Sequence, residues 1–97
     1  MNTHQPLAGM VQVRLQVKPF SGQSLGLIKS KGWRCFVLAP TSGPSGLFTW
    51  IFKRGANAVM LSQSSAVAQI QTVSLPCNDE ALELCSLFVQ SGLALPA

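Results

Sequence analysis

Side chains able to carry out chemistry are few in this chain. It holds one histidine (His4), three carboxylates (Asp79, Glu80 and Glu83), three cysteines (Cys35, Cys77 and Cys85) and no tyrosine. General acid–base catalysis needs a titratable group held against a second one. His4 stands alone near the N-terminus, and the carboxylates crowd into one five-residue stretch. Neither a nucleophile–base pair nor a set of metal ligands assembles from one copy. The odd cysteine count, without a Cys-x-x-Cys pair, argues against a disulfide scaffold and for free thiols in a reducing compartment. Cys77 is the candidate reactive thiol, because it precedes a helix start where the macrodipole favours a thiolate. Cys35 and Cys85 lie in apolar patterns and read as small core residues.

The basic residues are more telling. Arg14, Lys18, Lys29, Lys31, Arg34, Lys53 and Arg54 are the whole cationic set, and the first 78 residues contain no carboxylate side chain. A basic stretch with no acidic counterweight sets up a positive local field that attracts anions. All seven are therefore candidate phosphate contacts in a nucleic-acid-binding surface. The competing account is solubility: a chain with only 10% charged residues needs some charge on its surface. The same scarcity beside 47% apolar residues points toward self-association, with a dimer favoured.

Period-2 and period-3.6 patterns show what positions these groups. In residues 10–18, Val11, Val13, Leu15 and Val17 alternate with Gln12, Arg14, Gln16 and Lys18, a strand with one wet face. Residues 21–32 read as a loop leading into a strand, although Leu25 and Ile28 would also suit one face of a short helix. Residues 33–39 and 47–54 are aromatic and β-branched strands, separated by the Pro- and Gly-rich stretch 40–46. Further strands are expected over 58–63 and 66–75, although Ala66, Ile70 and Val73 would also suit a helix face.

Asn78 then caps a helix from Asp79 to about Ser91, with the three acids toward its start and Gly92 at its end. Its apolar stripe is Ala81, Leu84, Cys85 and Phe88, widened by Leu82 and Val89. The expected fold is α+β: a small antiparallel sheet of about four or five strands with the C-terminal helix packed on one face. Residues 1–9 read as a flexible lead-in without signal-peptide character, and 10–97 as a single domain.

Pairing the second and third strands with Ala39 opposite Leu47 places Arg34, Phe36, Leu38, Phe48, Trp50, Phe52 and Arg54 on one face. Aromatic side chains flanked by arginine could form a stacking platform for single-stranded nucleic acid. Four large rings in so small a domain argue more strongly for a core covered by the helix. A register slip of one residue would exchange the faces. The leading expectation is a small non-enzymatic module whose basic surface binds an anionic partner such as nucleic acid, without cofactor or metal, in the cytoplasm and away from membranes. The alternatives are a homo-oligomeric interaction domain that does not bind nucleic acid, and a domain holding a small ligand between sheet and helix.

Overall fold

Alternating side chains along the first strand define an inside and an outside. In a computed structural model, which describes residues 9–20, 25–38 and 47–97, β1 (Met10–Val17) buries Leu15 and Val17 while Gln12 and Arg14 face solvent. After it come α1 (Gly26–Ser30), β2 (Arg34–Leu38), β3 (Leu47–Arg54), β4 (Asn57–Ser64), β5 (Gln69–Pro76), α2 (Asp79–Gln90) and β6 (Ala94–Pro96). Most of the expected lead-in, including His4, and the loop 40–46 lie outside the described residues, as does Ala39.

The class is α+β, but the architecture differs from one sheet of four or five strands. Among the described residues, six strands form two antiparallel three-stranded sheets, ordered β5-β1-β6 and β2-β3-β4. The apolar tail beyond Gly92 carries the unforeseen sixth strand, whose Ala94 and Leu95 pair with Val17 and Gln16. Its three residues are too few for periodicity to reveal. The stretch read as a loop before the second strand contains the short helix α1, which buries Ile28.

Both ends of α2 follow their local chemistry. Asn78 Oδ1 accepts a hydrogen bond from the Ala81 amide at 2.9 Å. At the other end the Leu93 and Gly92 amides donate to the Phe88 and Val89 carbonyls, a Schellman closure. Gly92 has φ +79°, a left-handed conformation that suits glycine. The buried face is Ala81, Leu84, Leu87 and Phe88, whereas Leu82, expected to widen the stripe, is 41% exposed. Phe88 sets its ring 4.9 Å from that of Phe52. The helix packs against β5, β6 and α1 as well, and a single hydrophobic cluster draws on both sheets and both helices.

Among the described residues, no backbone ladder joins the two sheets. Glutamine side chains bridge them at the β4–β5 boundary instead. The Ser62 amide donates to Gln71 Oε1 at 2.9 Å, and Gln71 Nε2 donates to the Ser62 carbonyl at 2.6 Å. A primary amide thus stands in for a peptide group of a neighbouring strand. Gln63, fully buried, accepts from Trp50 Nε1 at 2.8 Å and donates to the Lys18 carbonyl at 2.8 Å. The Phe20 amide donates to the Ser64 carbonyl at 2.9 Å, farther along the same edge.

Removing the buried glutamine strands a ring N–H and a carbonyl together. Gln63→Leu is expected to destabilise the fold by about 1–3 kcal/mol for each group left without a partner. Gln71→Ala, at a half-buried position, is expected to cost less. Chemical denaturation of both variants checks this; unchanged midpoints would show that the bridges contribute nothing to stability.

Candidate functional site

The register of β2 on β3 decides which aromatic rings are available. Arg34 pairs with Lys53, Cys35 with Phe52, Phe36 with Ile51, Val37 with Trp50 and Leu38 with Thr49. This is one residue away from the register that the Ala39–Leu47 alignment implies, so the faces of β2 are exchanged relative to β3. Trp50 and Phe52 are buried, and Phe48, opposite Gln63, shares their inner face. Phe36 lies on the outer face with Arg34 and Leu38. Packing accounts for the difference, since Phe88 already presses on Phe52 and the neighbouring inner position on β2 holds the small Cys35 rather than another ring.

The expected platform is therefore divided. Its buried part forms core, as four large rings in a small domain suggested. Its exposed part is one ring with one guanidinium: Arg34 Cζ lies 5.3 Å from the centre of the Phe36 ring, a cation–π distance. Across the sheet, Phe36 continues through Ile51 to Met60, which is 60% exposed.

The seven basic residues separate as well. Lys29 is in the last turn of α1, Lys31 caps it, Arg34 opens β2, and Lys53 and Arg54 close β3. These five gather at one end of the β2-β3-β4 sheet. Gly32, at φ +92°, turns the chain from α1 into β2, and the Arg54 side chain passes so close that a Cβ there would meet Nε at 3.4 Å. Arg54 also pairs with Glu80 at 3.4 Å, so one of the three acids is brought to the basic end. Arg34 and Lys53 sit directly opposite each other and exposed, a like-charge pair that opposes sheet pairing. Arg14 and Lys18 are elsewhere. Arg14 pairs with Thr72 in the other sheet, and Lys18 follows the end of β1, where its amide donates to the Leu93 carbonyl.

Cys77 is exposed, immediately before the N-cap, and all three cysteines are free. Burial pushes the thiols of Cys35 and Cys85 up from their ordinary value; nearby Lys29 partly opposes the shift at Cys35. A groove of about 370 Å³ opens between β1 and α2, lined by Val13, Leu15, Cys85, Val89 and Pro96 among others. It lies between sheet and helix, the place that the small-ligand alternative would use. Among the described residues, no helix is long and apolar enough to cross a membrane.

No family model, curated protein or solved structure matches this chain.

Thiol reactivity should follow these environments. Iodoacetamide followed by mass spectrometry is expected to label Cys77 first. Labelling of Cys35 and Cys85 should be slower and keep increasing into strongly alkaline pH, because a raised pKa lowers the thiolate fraction at any lower pH. Equal rates at the three sites near neutral pH would contradict this ordering.

Proposed function

We propose that this protein is a non-enzymatic module that binds single-stranded nucleic acid on the outer face of the β2-β3-β4 sheet. The observation that carries the reading is the exposed Arg34–Phe36 stack beside Lys53. Phosphates engage Arg34 and Lys53, with Lys29 and Lys31 extending the positive field. A base stacks against Phe36 and the guanidinium plane that covers it. An anion between Arg34 and Lys53 relieves the repulsion that their pairing creates. Arg54 contributes less, because Glu80 partly neutralises it. Arg14 and Lys18 belong to another surface, so the contact set is narrower than all seven cations.

A binding role suits the carboxylates better than catalysis does. All three belong to α2 near its start, Asp79 and Glu80 in the first turn, and Glu80 is paired with Arg54. Three free thiols suit a reducing compartment such as the cytoplasm.

Fluorescence anisotropy with oligo-dT and oligo-U should detect binding that weakens as salt rises. Arg34→Ala or Lys53→Ala should weaken it by about tenfold and reduce the salt slope by about one. Phe36→Ala should cost a comparable factor, as loss of one stacked base costs about 1–3 kcal/mol. Arg14→Ala should stay within about twofold of the parent, since it removes no contact. Undetectable binding at low salt, or equal losses from Arg14→Ala and Arg34→Ala, would overturn the proposal.

A further inference from the structure

The two edges of the β2-β3-β4 sheet are treated differently. Along β4, Gln71 and Phe20 supply hydrogen-bonding groups. Along β2, no residue makes a backbone hydrogen bond beyond β3 among the described residues. This edge also lacks the usual protections against pairing. It has no proline and no charge after Arg34, and Phe36, Val37 and Leu38 are 39%, 48% and 55% exposed. Val37 belongs to the inner face, so the helix leaves part of that face uncovered too.

We infer that β2 pairs with β2 of a second copy, antiparallel about a two-fold axis through Phe36, to form a continuous six-stranded sheet. Only this register pairs all five residues. Phe36 then meets Phe36 of the other copy, Cys35 meets Val37, and Arg34 meets Leu38. The two Arg34 Cα atoms stand about 13 Å apart along the strands, four residues at strand rise. A parallel alignment would instead bring the Arg34 ends of both copies together, each with its cluster of cations. The strand is thus self-complementary in the antiparallel sense and self-repelling in the parallel one. Five residues a side make a small interface, below about 1,200 Å² in total, which suits a reversible association in the micromolar range.

The dimer does not rest on nucleic-acid binding, although it leaves the outer face open and brings two Arg34–Phe36 stacks side by side. Sedimentation or light scattering of the full chain across a micromolar concentration series, without nucleic acid, tests it. The expected result is a concentration-dependent monomer–dimer equilibrium. Leu38→Arg, which sets a cation opposite Arg34 of the other copy, should raise the dimer Kd at least about tenfold. Leu38→Asp should preserve or tighten the dimer, and adding Arg34→Asp to Leu38→Arg should restore it. Leu38 is more than half exposed, so these changes do not touch the core. A parent protein that stays monomeric throughout the series would overturn the inference whatever the variants do. So would equal effects from Leu38→Arg and Leu38→Asp.

Discussion

Two glutamine side chains hold the boundary on which the rest of the structure depends. Backbone groups along a sheet edge must find partners, from another strand, from water or from side chains. Along β4 they find Gln71, whose amide both accepts from and donates to Ser62. Next to it, Gln63 ties the Trp50 indole to the Lys18 carbonyl. These contacts stand where a ladder would, and the chain forms two three-stranded sheets that share a core rather than one sheet covered by a helix. α2 then packs across that core, with Phe88 against Phe52.

The protected edge explains the prominence of the open one. Among the described residues, β4 has partners along its edge and β2 has none beyond β3, and β2 is the strand with exposed apolar residues on both faces. The outer face of that strand also carries the Arg34–Phe36 stack, and Lys53 lies beside it. In the proposed reading, backbone pairing would take the edge of the strand and an anionic ligand its outer face.

Periodicity and end chemistry made much of the local structure legible. The alternation of Val13, Leu15 and Val17 with Gln12, Arg14 and Gln16 marks β1. Asn78 and Gly92 mark the ends of α2, where the structure shows a cap and a Schellman closure. Features with little or no repeating signal were not legible, or were legible only as an alternative. β6 is three residues of an apolar tail, and α1 is a single short helix among glycines. The candidate surface was legible only as a composition: the excess of cations was plain, but not that five of them gather at one end of a sheet while Arg14 and Lys18 lie apart.

The sequence by itself determined the α+β class, the strong local elements and the charge imbalance, because propensity, caps and side-chain alternation act over a few residues. Tertiary structure alone decided the division into two sheets, the strand register and the membership of the exposed platform. Register is a choice between alignments one residue apart, and both place apolar side chains on each face of β2. Phe88, arriving from a helix some forty residues downstream, fills the space beside Phe52 and leaves Phe36 outside with Arg34. That competition for volume is nonlocal, and no pattern within residues 33–54 records it.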